Sequence, residues 1–520
     1  MKKSIFTFFI ILFSLSCGSG LFANEEDDID YSMFTINTND VHYNTKAKIS
    51  IFRPCFVEKD DIYVEKKRDG FESEMTKIDD LLSDVTSDGS SGGESEKIKV
   101  ETKLYERIYD KHHQVILDDM YKKIIKNLAI VNLYDITYES ESCEKISDFF
   151  SINNTNYITD YIFSENFFEY DFVVTTELEV ISENELKIEV FVWDIMDERF
   201  LSGKYFILKT NRQNDNSYRI SNIISDLIFQ LTTGESGGLF DSKIMYIAET
   251  GSATDREKQV VMMNFDGNKS VKITKGKNLK LTPIFSKYNV NEIFYMEYIN
   301  DGAFIVKHDL KDNKMTKMTT KGQKMTSAPA FSPNGENKLI VSGTEFQRTN
   351  LFLFDLNKKI SRQLTKDVNT ISTSASFSPD GKKIVYVSDR SGSRRLYIQN
   401  LEDSSVADIP ISSPNEVCDK PAWSPDGRLI AFVKISKGKF HLSIMTPDGG
   451  GVRSLISDYL IEGIRWSPNS RYLVYTKQSG AFGKASIPKL YVMDIMTKNE
   501  FQLKTPDNEG ASDPDWAMNF

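Results

Sequence analysis

Two stretches of this 520-residue chain carry the G-x-S-x-G spacing of a serine nucleophile: Gly89, Ser91 and Gly93, and Gly234, Ser236 and Gly238. That spacing supports hydrolysis when the serine sits on a strand-to-helix elbow and an acid and a histidine follow it. The first stretch lies in the low-complexity run SDGSSGGESE at 87–96. The second follows a helical pattern and precedes a strand, which is the reverse order. The chain has five histidines, His42, His112, His113, His308 and His441, and those after Ser236 belong to a repeated β pattern rather than a hydrolase domain. The adjacent His112 and His113 would point about 100° apart on a helix, so they predict a surface pair rather than a metal site. Arg390, Arg394 and Arg395 in SDRSGSRR could hold an anion, but a solvated loop is the better reading. The aspartates of DLNKK and DLKDN lack the ligand spacing of a calcium loop. The four cysteines, Cys17, Cys55, Cys143 and Cys418, include no C-x-x-C pair, which argues against structural zinc. At most one disulfide can form among the last three, and Cys55 with Cys143 is the only pair within one expected domain. The residues therefore predict no catalytic, metal or cofactor site.

The elements that would position any function form a repeat. Aromatic residues at Phe285, Phe331, Phe377, Trp423, Trp466 and Trp516 fall 46, 46, 46, 43 and 50 residues apart. The best-formed copy, FSPDGKKIVYVSDRSG, begins at Phe377. Its proline pre-sets one turn position and its glycine takes the left-handed one. The strand that follows has Ile384 and Tyr386 on one face and Val385 and Val387 on the other, as suits a sheet packed between two others. A third strand (NLFLFDL, RLYIQNL, HLSIMTP, KLYVMDI) and a short fourth complete each copy. Four strands in about 45 residues is a propeller blade.

The two ends of the repeat complete each other. KIMYIA at Lys243 is a second strand with no first strand before it, and the strand at Trp516 has no second strand after it. Pairing them closes a ring of six blades over 240–520 and removes its open edges. The predicted fold is an α/β N-terminal domain followed by an all-β six-bladed propeller.

The start of the chain reads as an export signal. Lys2 and Lys3 precede an apolar run from Ile5 to Leu15, too short to span a bilayer, and small residues lead to Ala23. The expected division is a signal peptide at 1–23, a flexible acidic arm at 24–48, a small α/β domain at 49–236 with an acidic insertion at about 58–97, and the propeller at 240–520. Lipidation of Cys17 is an alternative to simple cleavage near Ala23. The net charge of −11 argues against a nucleic-acid partner.

The blades FSPDGKKIVYVSDRSGSRRLYIQNL and WSPDGRLIAFV, and the junction FQLTTGESGGLFDSKIMYIAE, resemble the WD40-like PD40 repeats and domain junction of the TolB family, periplasmic components of the Tol–Pal system. The order of signal peptide, α/β domain and six blades fits the same family, whereas the insertion at 58–97 departs from it. The resemblance implies a monomeric, non-enzymatic periplasmic scaffold without cofactors. It implies binding of the lipoprotein Pal at one propeller mouth and of a TolA-like inner-membrane protein by the arm, in support of outer-membrane invagination at division and outer-membrane integrity. At that mouth it points to Thr274, Lys280, Thr326, Ser388, Asp389 and Arg390. A propeller-gated peptidase would need a hydrolase domain for which the chain has no room. A carbohydrate-binding propeller would need an aromatic mouth, yet Trp423, Trp466 and Trp516 are repeat anchors and Trp193 lies in the first domain.

Overall fold

The computed structural model describes residues 46–52, 55–56, 111–139, 162–163, 167–182, 184–211 and 216–518, apart from breaks at 253–254, 300–301, 319–324, 334, 346–347, 368 and 482–485. The expected signal peptide, nearly all of the arm and the acidic insertion lie outside the described residues.

The first domain is a mixed sheet with two helices on one face. Its elements are β1 (Ala47–Phe52), β2 (Cys55–Phe56), α1 (Lys111–Ile130), β3 (Tyr134–Glu139), β4 (Phe172–Ser182), β5 (Glu185–Asp194), β6 (Arg199–Lys209) and α2 (Ser217–Thr233). The strand order is β3-β1-β4-β5-β6, and β1 runs parallel to both of its neighbours. Alternate residues of the strands, among them Ile49, Ile51, Val174, Ile188 and Val190, pack on α1 and α2. The buried stripe of α1 is Leu117, Met120, Tyr121, Ile124 and Leu128. Val115, an apolar residue of the same helix, is 57% exposed: it lies two residues before Leu117, about 200° around the helix. Between the helices Asn127 Nδ2 donates to Asn222 Oδ1 (2.9 Å) and Ser225 Oγ (3.0 Å).

The second part is a ring of six four-stranded antiparallel sheets. Blade 1 contains Ser242–Ser252, Asp255–Asn264 and Val271–Lys272, and its innermost strand is the chain's last, Gly510–Met518. Blades 2 to 6 begin with the inner strands Lys280–Phe285, Met325–Phe331, Ser372–Phe377, Val417–Trp423 and Leu460–Trp466. The predicted closure is present: Trp516 lies opposite Ile244, and the pairing runs from Met518 beside Ser242 to Gly510 beside Glu249.

The two-sided alternation of each second strand explains the packing of blade on blade. Ile384 and Tyr386 face blade 3 through Ile340 and Leu351, whereas Val385 and Val387 face blade 5 through Ile430 and Phe432. In the SPDG turn the Ser378 hydroxyl accepts from Lys383 N (2.9 Å) and donates to Asp380 (2.5 Å), and Gly381 has φ +72°. Ser424 repeats this arrangement with Asp426 and Leu429. The tryptophans do more than fill space: Trp466 Nε1 donates to Ala422 O of the preceding blade (2.8 Å).

The first domain covers one end of the ring. Lys123 of α1 pairs with Asp266 at 2.7 Å, and Tyr218 of α2 donates to the same carboxylate at 2.9 Å. On the other side Arg471 pairs with Glu235, and Phe229 packs on Tyr472. Gly234 ends α2 in the left-handed conformation (φ +73°), with its N–H on Gln230 O. The glycines of the second G-x-S-x-G stretch thus terminate a helix and turn the chain into the propeller. There the Asp226 carboxylate accepts from Leu239 N (2.7 Å), Phe240 N (3.0 Å) and Asp241 N (2.9 Å). Burial pushes this carboxyl above the usual range, against the pull of those N–H groups.

Candidate functional site: the open mouth of the ring

With one end covered, the other is formed by the loops that enter each inner strand and by the loops between second and third strands. All six residues that the sequence points to stand at this end. Thr274 is buried, and its hydroxyl accepts from Val260 N (2.9 Å) and donates to Gln259 Oε1 (2.8 Å). Thr365 makes the same latch to Leu351 N and Asn350, and Ser412 accepts from Leu396 N, so this hydroxyl is a repeated fastening of the loop. Lys280 is 2% exposed, with its ammonium on Lys275 O (3.1 Å) and 3.7 Å from Glu297. Burial lowers its pKa, and Glu297 partly offsets this. Thr326 lies on an inner strand opposite Gly343.

Ser388, Asp389 and Arg390 come together in blade 4. The Asp389 carboxylate accepts from Ile371 N (2.8 Å), tying the loop to the entry of its own inner strand. Arg390 bonds Asp408 (3.1 Å) and Asp367 (3.2 Å), donates to Tyr386 and lies 4.5 Å from the Tyr397 ring centre. The predicted solvated loop is therefore an internally bonded corner. Arg394 is also engaged, with Asp419 at 2.5 Å.

The axis of the ring carries a device that the repeat pattern did not announce. Each inner strand breaks register at its middle. In five of the strands the corner residue is left-handed: Thr282, Ser374, Lys420, Gly463 and Asp513, with φ from +46° to +64°. Four strands place a proline two residues before the anchor aromatic, at Pro283, Pro329, Pro421 and Pro514. Such a P-x-aromatic step is the sequence signal for the bulge, because proline cannot donate to the ladder. These corners line a cavity of about 40 Å³ on the axis. Lys420, Arg465 and Asp513 are its charged lining, and burial together with Asp513 holds the nearby Glu462 carboxyl above the usual range.

Among the described residues, three exposed apolar side chains stand at this end: Leu279, Ile371 and Tyr459, at 38%, 49% and 50% exposure. Each directly precedes an inner strand, in blades 2, 4 and 6. Blades 5 and 1 carry Glu416 and Glu509 at that position. The three apolar residues recur at every second blade, but the residue at this position varies from copy to copy, so the repeat motif does not mark them.

Two histidines and one cysteine are described in the ring. His308 is buried in blade 2 and bonds Asn313, and His441 stands opposite Lys434 in blade 5. Cys418 is fully buried, and burial pushes its thiol up to about 12. It is expected to resist a thiol-directed disulfide reagent at about pH 8 and to react once guanidinium unfolds the chain. Mass mapping of the labelled peptide checks this, and labelling of the native protein at the rate of a free thiol would contradict it. Among the described residues no group of three His, Cys, Asp or Glu could hold a metal.

A closed six-bladed propeller with an α/β domain over one end and a loop-built mouth at the other defines a class of two-domain β-propeller proteins. The family model for the TolB β-propeller domain matches residues 229–519, more than half of the chain. The chain belongs to the TolB family. The Tol-Pal system protein TolB of Rickettsia canadensis is 44% identical over 354 residues, which are 66% of this chain and 77% of that protein. TolB of Anaplasma marginale is 36% identical over 148 residues, 28% of this chain, and there the match spans only 32% of the relative. The crystal structure of TolB from Acinetobacter baumannii shares the fold, with a TM-score of 0.64 and 17% identity over 91% of this chain and 97% of that one.

Proposed function

We propose that this chain is an exported, non-enzymatic scaffold of the Tol–Pal system. In this reading it lies in the periplasm, its mouth binds the Pal lipoprotein, and its arm at 24–48 engages a TolA-like inner-membrane protein. The observation that carries the reading is the ring of Leu279, Ile371 and Tyr459 on the uncovered end. Loops on a rigid scaffold place binding residues accurately, and exposed apolar residues around a polar centre suit a protein partner. Thr274, Lys280, Thr326, Ser388, Asp389 and Arg390 would shape the loops that present this ring. Membership of the family and the Tol-Pal names of its relatives support the partner assignment. No helix among the described residues is long and apolar enough to cross a membrane.

The test is a titration of the full chain with a purified Pal periplasmic domain. Tyr459→Asp together with Leu279→Asp is expected to weaken binding roughly ten-fold or more and to leave the melting temperature unchanged, since both side chains are on the surface. Unaltered binding would place the partner elsewhere. Failure of the wild-type chain to bind Pal at all would overturn the assignment.

A further inference from the structure

The sheet of the first domain ends on β6, and the chain itself closes half of that edge. The Asn216 side chain accepts from Lys209 N (2.8 Å) and donates to Ile207 O (3.1 Å), as a neighbouring strand would. The two-residue period of a strand turns the backbone groups of Tyr205 and Gly203 to the same edge. Among the described residues nothing pairs with them beyond the sheet.

The side chains beside this opening are unusual for a guarded edge. Phe200 and Tyr205 are 51% and 64% exposed. They belong to an aromatic floor: Trp193 and Phe200 lie 4.9 Å apart, and the Phe191 ring covers Gly203 so closely that a Cβ there would come within 2.8 Å of it. Gly203 is therefore required by the ring on its face, and it leaves its backbone open at the edge. The strand RFLSGKYFILK contains Arg199, Lys204 and Lys209 and no carboxylate. Arg199 is neutralised by Asp194 and Asp197, whereas Lys204 and Lys209 have no ion pair among the described residues. A lysine alone would only keep other strands away. Two exposed aromatics next to it make the edge selective. A second copy of the chain is a poor occupant, because antiparallel pairing of β6 with itself would set cations against cations.

We propose that the Gly203–Tyr205 edge of β6 docks an extended segment of a partner protein in which carboxylates alternate with apolar side chains. Main-chain hydrogen bonds to Gly203 and Tyr205 would add a strand to the sheet. The apolar side chains would rest on Phe200 and Tyr205, and the carboxylates, which alternate to the other face, would meet Lys204. This surface is separate from the mouth, so it stands or falls independently of Pal binding.

The probe is a short fluorescein-labelled peptide alternating aspartate with isoleucine, titrated into the full chain and followed by anisotropy. Saturable binding is expected, weakened roughly ten-fold by Lys204→Glu and by Tyr205→Pro, which removes an edge donor. Because Tyr205→Pro could also disturb the sheet, a peptide N-methylated at alternate residues provides the same test on intact protein, and it should lose binding. A peptide of the same composition with its aspartates and isoleucines in separate blocks should bind no better than background. Binding that survives N-methylation, or that ignores the charge reversal at Lys204, would overturn the proposal, as would the absence of saturable binding.

Discussion

Removal of residues 510–520 is expected to unfold the propeller rather than trim it. Gly510–Met518 is the innermost strand of blade 1, and its pairing with Ser242–Ser252 joins the end of the ring to its beginning. Without it the second strand of blade 1 loses its inner partner, and blade 6 loses a neighbour on one face. The point substitution Trp516→Ala probes the same closure more gently. Trp516 is 3% exposed, stacks on Phe265 at 5.7 Å and donates from Nε1 to Ser242 Oγ at 2.8 Å. Emptying such a site costs about 3–5 kcal/mol, to be read from guanidinium unfolding of the full chain. A truncated chain that melts at the wild-type temperature would show that the ring does not depend on this strand.

Asp226→Ala is expected to be nearly as severe for a different reason. One carboxylate there satisfies the N–H groups of Leu239, Phe240 and Asp241, where the chain leaves α2 and enters the propeller. Leu239 and Phe240 are buried, so water cannot replace the lost acceptor. Leaving these donors unpaired costs about 3–5 kcal/mol, at 1–3 kcal/mol for each buried group. Asp226→Asn keeps an oxygen for Leu239 and Phe240 and loses only the bond to Asp241, so it should cost roughly 1–2 kcal/mol. The ordering is the test: equal losses in the two variants would mean that the carboxylate does not hold the junction through these bonds.

The blades were legible because their determinants are local. An aromatic, a Ser-Pro-Asp-Gly turn and a two-sided strand recur at nearly fixed spacing, and the unmatched strands at Lys243 and Trp516 imply closure by counting alone. The mouth was legible only as a region. Thr274 and Lys280 fall at the uncovered end of the ring, but their burial depends on what the neighbouring loop folds over them. Leu279, Ile371 and Tyr459 stand two blades apart, about 90 residues each, but the same position is acidic at Glu416 and Glu509, so the repeat motif does not mark them as a group. The bulge on each inner strand lies between these cases. Its P-x-aromatic step is visible at Pro283, Pro329, Pro421 and Pro514, yet Ser374 and Gly463 take the same corner without a following proline, because the crowded axis imposes it.

The way the ring closes also sets how it carries force. Met518 sits beside Ser242, so the chain's last strand ends where the first domain hands over to the propeller. Tension applied between the first domain and the C-terminus would meet at one end of this strand pair and peel it one residue pair at a time. Tension applied between the first domain and the mouth enters the two strands from opposite ends. It would load all seven registered pairs, from Met518 with Ser242 to Gly510 with Glu249, together in shear. A scaffold pulled through its mouth would therefore hold far better than one pulled by its tail.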